Sequence, residues 1–134
     1  MNPDLYFLTL DDVLDIHEWQ QTRFGGAAGI RGMGLLDSAV AQPQTTFQGN
    51  YLHSNLFQMA SAYAFHIAEN QPFIDGNKRT ALIAALTFLE LNGVTVIDDS
   101  NELYLAMMSV ADGSWNKNDL AELFNKLASN NPDF

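Results

Sequence analysis

The sequence predicts an all-α fold, a compact helical bundle with a small β-hairpin flap, over a single domain at 1–134, and three observations carry that reading. Apolar residues recur at helical spacing in several separate segments. One central run, "TALIAALTFLELNG", is apolar around most of its circumference, which marks a helix buried on several sides. Strand-forming residues concentrate only in two short stretches, so any sheet is minor.

The elements follow in order. Thr9, with Asp12 three residues later, caps a first helix whose apolar face holds Leu10, Val13, Leu14, His17 and Phe24. The glycines of "FGGAAGIRGMG" end it. "LLDSAVAQ" is a short second helix closed before Pro43, which has no amide hydrogen to continue the ladder. "PQTTFQGNYLHS" mixes β-formers with a Gly-Asn turn, giving an extended loop or a small hairpin. With Ser54 as cap, Leu56, Ala60, Tyr63, Ala64 and Ile67 keep helical spacing up to about Glu69. The central helix closes at Asn92-Gly93 in the left-handed conformation. "VTVID" reads as a brief strand, Asp99 with Glu102 as another capped helix start, and Leu120, Leu123, Phe124 and Leu127 as a last amphipathic helix. Met107 and Met108 are read as core, and the tail "ASNNPDF" as frayed.

A net charge of −10 repels nucleic-acid phosphates and anionic membranes alike, so neither is expected as a partner. Cysteine is absent, which excludes thiolate catalysis and Cys-ligated zinc and fits a reducing compartment. The start "MNPDLYFLTLDD" lacks the pattern of a signal peptide, and no run is long enough to cross a bilayer; a cytoplasmic protein is expected.

The stretch with most chemistry is "AENQPFIDGNKRTA", residues 68–81. Gly76 and Asn77 stand at the start of the central helix, where amide hydrogens without helical partners point into the loop. The helix dipole adds partial positive charge, and Lys78 and Arg79 add two full charges in a chain that has only six cations. A phosphate is the natural guest. Asp75 would repel it alone, but magnesium, which takes one or two carboxylates with phosphate oxygens, reconciles the acid with the anion. The combination points to a nucleotide with Mg2+. A plain solvated turn has the same composition.

"QPFIDGNKRTA" resembles the signature loop of the Fic/Doc superfamily, H-P-F-x-[D/E]-G-N-[G/K]-R, at every position but the first. The blocks "YFLTLDDVLDIHEWQQTRFGG", "GIRGMGLLDSAVAQPQTTFQG" and "ALTFLELNG" resemble the death-on-curing (Doc) branch, as does Lys78 where Fic enzymes commonly have Gly. The resemblance implies a helical bundle in which Phe73 anchors the loop, Asp75 holds magnesium, and Gly76, Asn77, Lys78 and Arg79 bind nucleotide phosphates. It implies the toxin of a toxin–antitoxin system, a kinase that passes the terminal phosphate of ATP to a hydroxyl of translation elongation factor Tu, with an antitoxin as partner. Transfer of AMP (AMPylation), as in Fic enzymes, and a non-catalytic nucleotide- or partner-binding module are the alternatives. The segment Gln42–His53 corresponds to a flap that aligns the target, with Phe47 and Tyr51 as contacts; covering the core is their other reading.

The departure is Gln71, which stands where the family has its catalytic histidine. An amide has no lone pair that takes a proton near neutral pH, so Gln71 can position a hydroxyl but cannot act as its base. His66 lies five residues upstream, and helical geometry turns it away from Gln71. His17 reads as a satisfied core residue, His53 supports no inference, and the three histidines have no metal-ligand spacing. For Arg31 a structural ion pair is the simplest role. Asp98, Asp99 and Glu102 read as a solvated helix start.

Overall fold

The computed structural model describes residues 5–129, which form six α-helices, a 3-10 turn and a two-stranded hairpin. The helices are α1 (Leu10–Phe24), α2 (Met33–Ala41), α3 (Leu56–Asn70), α4 (Asn77–Leu91), α5 (Glu102–Ala111) and α6 (Lys117–Ser129). The hairpin pairs β1 (Thr46–Phe47) with β2 (Asn50–Tyr51), antiparallel, just after the 3-10 turn Gln42–Gln44. Among the described residues no helix is long and apolar enough to cross a membrane.

The centre of the bundle is the pair α3 and α4, joined by the loop of interest; α2 and α6 pack on α3, and α1 packs on α4. Alanines make that pairing close. Ala60, Ala64 and Ala68 of α3 and Ala81, Ala84 and Ala85 of α4 are all buried, and small contact residues let helix axes approach. Tyr63 and Phe88, both fully buried, fill the remaining space with ring centroids 5.2 Å apart. The Tyr63 hydroxyl accepts from the Leu8 amide at 2.9 Å, and Asn92 accepts from the Tyr6 amide and donates to the Tyr6 carbonyl. These bonds fix the strand-like lead into α1, which positions one wall of the site.

Capping follows the sequence in part. Thr9 and Asp12 form a reciprocal capping box at α1. At α3 the cap is Asn55, whose side chain accepts from the Gln58 amide; Ser54 instead donates back to Gln58. Asp98, not Asp99, holds the start of α5, its carboxylate accepting from the amides of Glu102 and Leu103 at 2.7 and 3.0 Å. Glu102 is ion-paired with Lys126 at 3.1 Å.

Other expectations need correction. Residues 94–98 form no strand, because among the described residues no strand lies beside them to offer a ladder, and Val94 is simply buried against the core. The hairpin turns on Gln48-Gly49, both at positive φ (53° and 82°), rather than on Gly-Asn. Phe24 does not share the buried face of α1; it is 54% exposed. Met107 is core, but Met108 faces outward. In the tail, Ala128 is a buried residue of α6, and residues 130–134 lie outside the described residues.

Candidate functional site

The loop between α3 and α4 is shaped by four sets of contacts. Gln71 terminates α3 in the left-handed conformation (φ 47°, ψ 59°), a region that costs a non-glycine residue roughly 1–2 kcal/mol. Such an outlier between the two central helices marks a position held by its surroundings. Asn77 clamps the loop, its side-chain oxygen accepting from the Phe73 amide and its nitrogen donating to the Phe73 carbonyl, both at 2.9 Å. Phe73 is buried, as expected of an anchor, and stacks face to face on His17 at 3.7 Å. His17 Nε2 in turn donates to the Asp75 carbonyl at 2.9 Å. The core histidine of the sequence reading is therefore a buttress of the loop.

The glycine-rich segment after α1 runs antiparallel to the loop. The amides of Arg31 and Gly32 donate to the Pro72 carbonyl, Ile74 donates to Gly29, and Ile30 bridges Phe73. Among the described residues Arg31 forms no ion pair; its guanidinium donates to the carbonyls of Asn70 and Gln71 at 2.6 and 2.7 Å. A cation there satisfies carbonyls that the helix end leaves open and complements its dipole. Close approach explains two glycines. A Cβ on Gly26 would lie 2.5 Å from Asp75 Oδ2, and one on Gly76 would run into Gln20 Nε2.

Gln20 and Gln21 are the residues that sequence reasoning missed. With His17 and Phe24 they occupy positions i, i+3, i+4 and i+7 of α1, one helical face turned to the loop. Gln20 is fully buried and donates to Gln21, which donates to the Ala27 carbonyl at 2.5 Å. Two glutamines on an apolar helix face were the available signal.

The resulting site is the start of α4. The other long helices, α1 and α3, carry side-chain caps, but α4 has none; its N-cap is Gly76 at φ 80°. Its first turn holds no acid, the usual complement of the dipole, and has Lys78 and Arg79 instead. Both are exposed, and neither forms an ion pair among the described residues. Arg79 lies over the Phe24 ring at 4.4 Å. Asp75 is exposed at the rim, with Oδ1 accepting from the Gly76 amide at 2.8 Å and Oδ2 from Ala27 at 3.2 Å. Each oxygen keeps a lone pair for a cation. The arrangement presents open amides, two cations and one carboxylate at a helix start, which suits an anion accompanied by a metal ion.

A profile of the Fic/DOC family matches residues 7–89, spanning α1, the glycine-rich segment, α3, the loop and nearly all of α4. The chain belongs to the Fic/DOC family. Within it, the chain is similar to Protein kinase doc of Escherichia phage P1, at 30% identity over 117 residues, 87% of this chain and 91% of that protein. It is also similar to Toxin Doc of Mycolicibacterium smegmatis, at 47% identity over 76 residues. That second match covers 57% of this chain and 58% of the relative. Both relatives lie on the Doc side of the Fic/DOC family.

The remaining residues singled out from sequence lie apart from these loop contacts. Phe47 is exposed at the hairpin, and Tyr51 is half-buried against Phe7 at 5.5 Å. His66 accepts from Lys117 Nζ at 3.1 Å, and His53 lies 3.4 Å from the same ammonium. Burial, then Lys117, then His53 push His66 down to about 4, and burial with Lys117 lowers His53. His66 is thus committed to α6 rather than to Gln71. Among the described residues no cluster of three or more His, Cys, Asp or Glu could hold a metal ion by itself.

Proposed function

We propose that this chain is the toxin of a toxin–antitoxin pair, a Doc-like phosphotransferase that uses ATP and Mg2+ to phosphorylate a protein hydroxyl, with its turnover curtailed by Gln71. The observation that carries the reading is the start of α4, an uncapped helix end with two cations and no acid, framed by a loop fixed on every side. Its similarity to Protein kinase doc supports phosphate rather than AMP as the transferred group, and so does Lys78.

In this reading the first amides of α4, from Asn77 onward, receive the phosphates beside the Gly76 turn, and Lys78 and Arg79 neutralise their charge. The Asn77 side chain is spent on Phe73, so Asn77 serves by shape and by its backbone. Asp75 would hold magnesium through its open lone pairs, a fit to an ion that takes few carboxylates and completes its shell with phosphate oxygens and water. The ion supplies charge neutralisation on the phosphates. Transfer forms a bond from the target hydroxyl oxygen to the terminal phosphorus and breaks the bond to the bridging oxygen, releasing ADP. The hydroxyl proton must go to a base. Gln71 offers only an amide at that position, so the step loses general-base catalysis, typically worth about a hundred- to ten-thousand-fold.

The target class is elongation factor Tu, the hairpin residues Phe47 and Tyr51 are its contacts, and an antitoxin is the neutralising partner. Gln71 also favours a second reading, a nucleotide-binding module without catalysis. Calorimetric titration with Mg·ATP tests the common ground. The native chain binds, while Arg79→Ala and Asp75→Asn each weaken binding at least about tenfold, the loss of one charge-assisted contact. Unchanged affinity in Arg79→Ala would refute the site.

A further inference from the structure

Two large aromatic side chains at the end of α1 are left in solvent, Trp19 at 52% and Phe24 at 54% exposure. Their burial contributes little to the core, yet they are not scattered. Arg79 of α4 sits over the Phe24 ring at 4.4 Å, Phe24 meets Trp19 edge-to-face at 6.4 Å, and Arg23 lies over Trp19 at 5.5 Å. The four side chains form a ladder of cations and rings along α1, and its last rung is the arginine of the candidate site.

We infer that Phe24 is a positioning residue for Arg79, holding the guanidinium ready for an anion without consuming any of its donors. The inference rests on the reading of Arg79 as a phosphate ligand. The chemistry of the contact makes the case. A carboxylate partner would engage the N–H edge of the guanidinium and cancel its charge, leaving little for a ligand. A ring attracts the face of the guanidinium, while its five N–H groups lie in the plane and remain available. In a chain with sixteen carboxylates, a free arginine side chain has many competing partners, and an aromatic face keeps it from them. Trp19 meets the Phe24 ring edge-to-face and limits its rotation, a role that accounts for a second exposed aromatic beside the first.

The test compares the native chain with Phe24→Leu, which keeps apolar bulk without a π face, Phe24→Tyr, which restores the face, Arg79→Ala, and the Phe24→Leu/Arg79→Ala pair. Two readouts are taken: Mg·ATP affinity by calorimetry, and the order of the Arg79 side chain from 15N relaxation at Nε in ligand-free protein. Phe24→Leu is expected to weaken Mg·ATP about two- to fivefold, the worth of an exposed cation–π contact, with Phe24→Tyr close to native. In the Arg79→Ala background the same leucine should change nothing, since the effect passes through the arginine. Arg79 should be ordered in the native chain and in Phe24→Tyr and mobile in Phe24→Leu. Native-like order of Arg79 in Phe24→Leu overturns the inference, as does an equal loss of affinity with and without Arg79. If the native chain binds no Mg·ATP while Arg79 order still follows the ring, the nucleotide reading fails and the positioning stands.

Discussion

Gly76→Ala is the substitution that most directly tests how the loop is built. Gly76 has φ 80°, where an L side chain costs roughly 1–2 kcal/mol, and its hydrogen faces Gln20 and Gln21 of α1. A methyl group there would lie 2.6 Å from Gln21 Oε1 and closer still to Gln20 Nε2. Gln20 is fully buried and cannot swing into solvent, so α1 and α4 must part or the loop must shift, an overpacking cost of about 1–3 kcal/mol. The sum is about 2–5 kcal/mol. Gly93, at φ 84° with nothing within 4 Å of where a methyl group would stand, carries the conformational cost alone. Urea denaturation of Gly76→Ala and Gly93→Ala should therefore place the first about 1–3 kcal/mol below the second at equal m-values. Mg·ATP affinity should fall in Gly76→Ala only. If the two variants lose the same stability, the steric account of α1 against the loop is wrong.

Two further outcomes follow from the same geometry. Asp98→Ala should cost about 1 kcal/mol, the worth of a helix cap, while Asp99→Ala should stay within about 0.5 kcal/mol of native; equal effects would return the cap to Asp99. His66 is held below its ordinary value of 6.5, at about 4, so the unfolded chain takes up a proton before the native one does. Stability is then intact above pH 7 and falls as pH drops from about 6.5 to 4. Because His66 is only half-buried, the full linkage is discounted to about 1–2 kcal/mol, and His66→Gln should flatten that part of the pH profile measured by urea denaturation.

The helices were legible because their periodicity is set by burial against a common core: the four residues named for α6 are all buried, and so are those named for α3 apart from the half-buried Leu56. The loop drew attention in the sequence because Gly, Asn, Lys and Arg meet at a helix start, a composition that a plain solvated turn shares. What supports the loop was not legible. His17 and Arg31 bond across long sequence separations, Gln20 and Gln21 meet Gly76 only through the fold, and nothing in local spacing says which group a side chain will reach. "VTVID" failed for a similar reason, since β-propensity needs a partner strand and none of the described residues pairs with it as one. Phe24 kept helical register but fell beyond the edge of the packed face, where it met Arg79 instead of the core.

The central claim is that this site transfers phosphate and that Gln71 limits it. The most direct measurement compares the native chain with Gln71→His in a bacterial extract containing elongation factor Tu, each supplied with magnesium and ATP labelled on the α- or the γ-phosphate. The expected result is γ-label on protein with Gln71→His, at least about a hundredfold above the native chain, and no α-label. Transfer of α-label, or no transfer by Gln71→His in an extract that an active family member labels, would contradict it.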